Sequence, residues 1–227
     1  MDDGEDVTAG WLERRRQAVD PELRAIFVRS LELGFLGSMR IGDQLDHALG
    51  FVEILESECG GPPESVVDLG SGGGMPGLVL SSCWPGTRVV LIDANQRRTE
   101  FLADVVEEWP RASRTVVVRG RAEELGRQPE FREEFAALTS RSFGTPGATA
   151  ECASPLLGVG GVMVVSEPPD SPAGGRWPAD GLALLDLRPV ASVRPLESYG
   201  YQVLHKTGPL SDRYPRRVGI PAKRPIF

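Results

Sequence analysis

From residue 11 to about residue 60, apolar side chains recur three and four positions apart. "WLERRRQAV" and "PELRAIFVRSLELGFL" carry this helical period, and Pro21 suits a first helical turn. In "GDQLDHALGFVEILESE", Leu45, Leu49, Val52 and Leu55 fall on one helix face. "GGPP", residues 60 to 63, then breaks the chain. Beyond it, short β-rich runs alternate with helical ones: "SVVDL", a helix from about Pro76, "RVVLID", a helix over "NQRRTEFLADVVEEW", and "RTVVVR". "FAALTS", a helix over "GATAECASPLL", and "GVMVVS" continue the series. Such alternation predicts parallel strands joined by right-handed crossovers, a doubly wound α/β sheet. "LALLDLRPVASVR" and "YQVLHKT" have no full helix between them and read as an antiparallel pair at one edge. "DSPAGGRWPADG", residues 170 to 181, reads as a Pro/Gly-rich loop. The expectation is an N-terminal helical extension over 1–63 and a mostly parallel, seven-stranded domain over 64–227.

Composition narrows the class. A chain of 227 residues with 41% hydrophobic and 25% charged positions fits one sizeable globular domain. No apolar run reaches the ~18 residues of a membrane span. The acidic start "MDDGED" is unlike a secretory signal, so a cytoplasmic location is expected. Cys59, Cys83 and Cys152 lie far apart without a CxxC and suit a reducing compartment. Cys83 and Cys152 read as small buried hydrophobes, and with only His47 and His205 no metal site is expected. His47, among helical apolar residues, suits a core or helix-face role. A net charge of −7 has the wrong overall sign for a nucleic-acid binder, but its distribution matters. Acids gather in Asp2, Asp3, Glu5 and Asp6, whereas the tail carries Arg213, Arg216, Arg217, Lys223 and Arg224 against Asp212 alone. That tail reads either as a phosphate-contacting segment or as a solvated terminus. A monomer is expected.

The densest chemical signal is "SVVDLGSGGGMPGLVL", residues 65 to 80. Strand, acid, glycines and helix follow in that order, which lets a ligand lie against bare backbone at a helix N-terminus. Gly72, Gly74 and Gly77 satisfy GxGxxG, a pattern that a tight turn without ligand also produces. Asp93 ends the next strand, where an acid reaches a ribose diol in either a nicotinamide or an adenosyl cofactor, or merely caps the helix after it. Two features favour S-adenosyl-L-methionine. Asp68 precedes Gly70 in "DLGSGGG" and suits the sulfonium and amino group, and "GRAEEL" follows the third strand, where Ala122 and Glu123 can meet an adenine edge. Glu123 read alone is equally a solvated acid at a helix start.

The succession "VVDLGSGGGMPGLVL", "VVLIDANQRRTEFLADVV", "GRAEEL", "LTSRSF", "SPLLGVGG" and "YPRRVGIPAKRPI" resembles the ribosomal RNA small subunit methyltransferase G family, also called glucose-inhibited division protein B. The likeness covers roughly residues 64 to 166 and the tail. It implies a Rossmann-like methyltransferase domain that methylates N7 of one guanine in 16S ribosomal RNA, with ribosomal RNA or the small ribosomal subunit as partner. By that resemblance Asp68, Gly70, Ser71, Gly72, Gly74, Met75 and Gly77 line the cofactor. Asp93 takes the ribose, Ala122 with Glu123 the adenine, and Ala94 also borders the cofactor. Arg141, the candidate catalytic residue, faces the cofactor or substrate end, though by itself it also reads as a strand-end ion pair. Arg213, Arg216, Arg217 and Lys223 contact RNA. Guanine N7 has a free lone pair and no proton, so this transfer needs no general base. Phe143 reads first as a core residue and second as a face that could stack on a flat base, and Trp177 could cap a substrate or anchor its loop.

The chain departs from the family at the substrate side. "LGFLGSMRIGDQLDHAL" lacks the family's "N-L-T" and only echoes its His–Asp pair, and "VVSEPPD" stands where the family shows "KG". Glu167 there is an acid expected to repel phosphate. A methyltransferase retargeted to a small molecule or another RNA is the alternative, and a cofactor-binding protein without turnover is a third reading.

Overall fold

The computed structural model describes residues 12–13, 15–17, 19–168, 171, 175–196 and 199–227. The acidic start and part of the 170–181 loop lie outside the described residues. Helix α1 spans Pro21–Glu32, with Pro21 in its first turn and the Asp20 carboxylate accepting the Glu22 N–H at 2.9 Å. Helix α2 spans Ile41–Cys59 and stops at Gly60, whose φ of 72° only glycine takes without cost.

The remaining elements alternate as the apolar runs predict. They are β1 (Ser65–Leu69), α3 (Gly77–Cys83), β2 (Arg88–Asp93), α4 (Gln96–Glu108), β3 (Thr115–Arg119), α5 (Ala122–Leu125), β4 (Phe135–Ser140) and α6 (Pro146–Ala153). β5 (Leu157–Glu167), α7 (Ala179–Ala183), β6 (Leu187–Leu196), β7 (Tyr199–Lys206) and α8 (Ile220–Lys223) complete the chain. The sheet order is β3-β2-β1-β4-β5-β7-β6, with β1 to β5 parallel and β7 antiparallel to both β5 and β6. The β6–β7 edge pair expected from the sequence is therefore present. β5 begins earlier than "GVMVVS": a register shift opposite Phe135 and Ala137 lets Leu157 pair before the Gly-rich stretch.

Two cores flank the sheet, divided by strand alternation. Val66, Val89 and Leu91 belong to one, and Val67, Leu69, Val90 and Ile92 to the other. Leu23 and Phe27 of α1, and Leu45, Leu49 and Leu55 of α2, join the first core together with Leu78 and Phe101. The N-terminal helices thus share a core with the strands. Each fully buried Leu or Phe there contributes ~1.5–3 kcal/mol relative to exposure. The strand order reverses between β1 and β4, which opens a crevice at their carboxyl ends.

Candidate functional site

That crevice is built from the turn leaving β1. The N–H groups of Gly70 and Ser71 both donate to the Ile92 carbonyl at 2.9 Å, tying the loop to β2. Gly70 has φ of 77°, and a Cβ there would lie 2.8 Å from the Phe143 ring. Gly77 is needed for a different reason. A Cβ there would meet Leu91 Cδ2 at 2.2 Å and Asp68 Oδ2 at 2.8 Å, so its bareness lets α3 sit directly on β1 and β2. Gly74 packs toward Leu78 and Leu102, and Ser71 donates its hydroxyl to the Asp68 carbonyl.

Asp68 lies under the loop rather than in it. It is 1% exposed, accepts the Thr139 hydroxyl at 2.9 Å and the Gly77 N–H at 3.2 Å, and lines none of the cavities around the turn. Burial pushes its carboxyl up to about 6, against the opposing pull of Thr139, Ser71, Gly77 and the Arg141 charge. Its visible work is to clamp β1, β4 and the start of α3 together.

Asp93 does reach the crevice. Its Oδ2 accepts the Gly72 N–H at 2.9 Å, its Oδ1 accepts the Asn95 N–H at 2.8 Å, and Arg98 stands 3.6 Å away. A carboxylate has about four acceptor sites, so capacity for a diol remains. Glu123, 3% exposed, accepts the Gly219 N–H at 2.9 Å and Arg121 at 3.2 Å, both on Oε1. Burial opposes its ionisation, yet those two donors hold the carboxyl below its ordinary value. The Gly219 contact comes from the C-terminal tail, a neighbour of Glu123 that local sequence patterns do not signal.

Three cavities run end to end along this edge. The first, about 340 Å³, is lined by Gly70, Asp93, Ala94, Ala122, Glu123 and the tail residue Ala222, among others. The second, about 170 Å³, lies over Gly70 to Gly73 and Met75, with Arg98 and Arg141 on its walls. The third, about 270 Å³, is lined by His47, Arg141, Phe143, Thr149, Glu167 and Trp177, among others. Arg98 belongs to the first and second, Arg141 to the second and third, and Ser142 to all three. Arg141 donates to Gln44 Oε1 at 2.9 Å and stands 3.7 Å from Met75 Sδ, and burial lowers its pKa. No carboxylate pairs with it at salt-bridge distance among the described residues. The strand-end ion pair that the sequence allowed is replaced by the Gln44 contact.

The basic tail is only partly free. Arg216 donates its backbone N–H and its guanidinium to Glu151, whose side chain is fully buried, at 2.6 to 3.1 Å. Arg213 stacks over Tyr214 at 4.7 Å. Arg213, Arg217 and Lys223 are exposed. Glu167, expected to repel phosphate, has both oxygens 3.1 Å from Arg176 Nη1 and accepts the Trp177 indole N–H at 2.9 Å. Its charge is matched, so the expected repulsion of phosphate is largely cancelled. Trp177, 2% exposed, anchors its loop while forming part of the cavity wall.

The sheet order, the glycine turn after β1 and the acid ending β2 define a class I methyltransferase fold. The solved structure of cofactor-bound Rv0187 from MTB has this fold, with a TM-score of 0.56 and 18% identity, covering 82% of this chain and 90% of that one. The model of the rRNA small subunit methyltransferase G family matches residues 44–167. The ribosomal RNA small subunit methyltransferase G of Roseiflexus sp. (strain RS-1) is 34% identical over 172 residues, 74% of this chain and 73% of that protein. That of Thermotoga neapolitana is 34% identical over 168 residues, 72% of each. The chain belongs to this family and is an S-adenosyl-L-methionine-dependent methyltransferase. No helix among the described residues is long and apolar enough to cross a membrane.

The residues present fit that cofactor. Gly70 and Gly72 leave the backbone bare beside the cavities, Asp93 retains acceptor capacity, and Ile92, Ala122 and Ala148 give the first cavity apolar walls.

Proposed function

We propose that this protein transfers a methyl group to N7 of a guanine in 16S ribosomal RNA, in the bacterial cytoplasm. The observation that carries the reading is the row of cavities with shared walls, Arg141 lining both the cavity over the glycine loop and the cavity walled by Phe143 and Trp177. When bound, S-adenosyl-L-methionine supplies a methyl group already activated on a sulfonium. Asp93 accepts hydrogen bonds from the ribose, and Ala122 with Glu123 borders the adenine. The Gly70–Gly73 backbone and Arg141 hold the amino-acid end, with the Arg141 guanidinium suited to a carboxylate. Phe143 offers a stacking face to the base. The chain's task is then positioning and water exclusion, because guanine N7 presents its lone pair without deprotonation.

Exposed Lys223, next in the chain to the Ala222 that lines the first cavity, is suited to RNA phosphate, and so are exposed Arg213 and Arg217. Arg216 supports that segment through Glu151. The small-molecule alternative drew on the net charge of −7 and on the Glu167–Pro168–Pro169 replacement, and the Arg176 pairing weakens only the Glu167 part of that support.

The test uses labelled S-adenosyl-L-methionine with small ribosomal subunits and, separately, naked 16S RNA, both from a strain lacking the guanine methylation. Label at one guanine is expected. Calorimetric cofactor binding with no label in either RNA overturns the reading. Binding to RNA should also weaken with salt with a slope of ~0.9 per phosphate contacted on a duplex and ~0.7 on a single strand.

A further inference from the structure

The third cavity has one wall that reads, from sequence, as ordinary helix packing. His47 stands on α2, 9% exposed, with its ring parallel to Tyr199 at 4.7 Å and edge-on to Tyr201 at 5.3 Å. The Tyr201 hydroxyl donates to the His47 carbonyl at 2.6 Å, and a Cβ at Gly50 would meet that hydroxyl at 2.1 Å. The His47 backbone is therefore tied to Tyr201, and its ring packs against both tyrosines. Yet its Nε2 is buried with no hydrogen-bond partner among the described residues. Buried polar atoms are nearly always paired, so such an atom calls for an explanation. His47 also lines the cavity that Arg141, Phe143, Thr149, Glu167 and Trp177 enclose.

We propose that His47 is a specificity-determining residue for the methyl acceptor, giving one hydrogen bond to the edge of the base that enters this cavity. The inference rests on the guanine reading above. Burial, and after it the Arg141 charge, push the His47 pKa down to about 3, so the imidazole is uncharged at neutral pH. An uncharged imidazole both donates and accepts, and it adds no charge opposing the positive charge that forms on an alkylated purine. The cavity, about 270 Å³, lies below the ~300–1,000 Å³ of pockets for drug-sized ligands. That size suits one base turned out of its helix. Phe143, 37% exposed, supplies the flat face and His47 the edge contact. His47 lines neither of the two cavities assigned to the cofactor, so its substitution separates acceptor effects from cofactor binding.

The experiment compares wild type, His47→Phe and His47→Gln. Phenylalanine keeps an aromatic ring against Tyr199 and Tyr201 while removing both nitrogens, and glutamine restores a donor and an acceptor. Kinetics of methyl transfer to 16S RNA are measured beside calorimetric binding of S-adenosyl-L-methionine and thermal unfolding. For His47→Phe, kcat/KM for RNA is expected to fall ~10- to 100-fold, the loss of a hydrogen bond in a buried site. Cofactor affinity stays unchanged, and His47→Gln recovers part of the loss. Wild-type kinetics in His47→Phe overturn the proposal. So does a loss that tracks lowered thermal stability or cofactor affinity and that glutamine does not recover, because His47 is then packing alone. Absence of transfer by the wild type, with cofactor still bound, overturns the guanine reading and this proposal together, and is distinct from equal activity of the variants.

Discussion

Replacing Arg216 by alanine should cost folding stability and leave RNA electrostatics untouched, although its place in a basic tail suggests the reverse. Glu151 is fully buried, and its carboxylate takes Arg216 Nε at 2.8 Å, Nη2 at 2.6 Å and the Arg216 backbone N–H at 2.8 Å. Removing one partner of a buried ion pair costs ~3–5 kcal/mol. Two facts reduce that figure. The Arg216 side chain is 32% exposed, and the backbone N–H at position 216 still reaches Glu151 in the variant. A loss of about 2 kcal/mol remains. At ~2–4 °C per kcal/mol for a chain of this size, Tm should drop by ~4–8 °C. Calorimetric unfolding at neutral pH reads the first quantity, and RNA affinity across a salt series reads the second. The expected result is a lowered Tm with an unchanged salt slope. An unchanged Tm with a slope reduced by about one phosphate contact would refute the reasoning, since Arg216 would then be leaving Glu151 for RNA.

Gly77→Ala forces a methyl group against Leu91 and Asp68 and should lower stability by ~1–3 kcal/mol, read by thermal unfolding; a wild-type melt would show that α3 can lift off the sheet. Asp93→Asn should weaken cofactor binding ~10- to 100-fold by calorimetry, because the amide sets an N–H against one of the Gly72 and Asn95 donors and loses the charge facing the ribose; unchanged affinity would remove Asp93 from the site. The Asp68 carboxyl, at about 6 in the fold against ~3.9 unfolded, binds more protons folded than unfolded between those values. Its ionised form is therefore the disfavoured one, and the Asp68 contribution falls as pH rises from about 4 through about 6. The Tm of wild type relative to Asp68→Asn should decline across that window, and a relative rise would show the carboxylate to be stabilised in the fold.

Much of this molecule is written in near neighbours along the chain. Strand alternation, the helical period of α2 and the bare turn after Asp68 depend on residues a few positions apart, so the doubly wound sheet and the cleft at its edge were legible before any coordinates. Asp93 was legible for the same reason, because it ends a recognisable strand before a helix start. The tertiary structure decided which charges are free. Arg216 finds Glu151 from 65 residues away, the Gly219 N–H finds Glu123 from 96, and Tyr201 pins the His47 backbone from 154. Charge along a sequence does not say whether a guanidinium faces solvent or a buried carboxylate. That depends on which faces the sheet brings together, and it turned Glu167 into the partner of Arg176 and Trp177, and His47 from a helix-packing residue into part of a cavity wall.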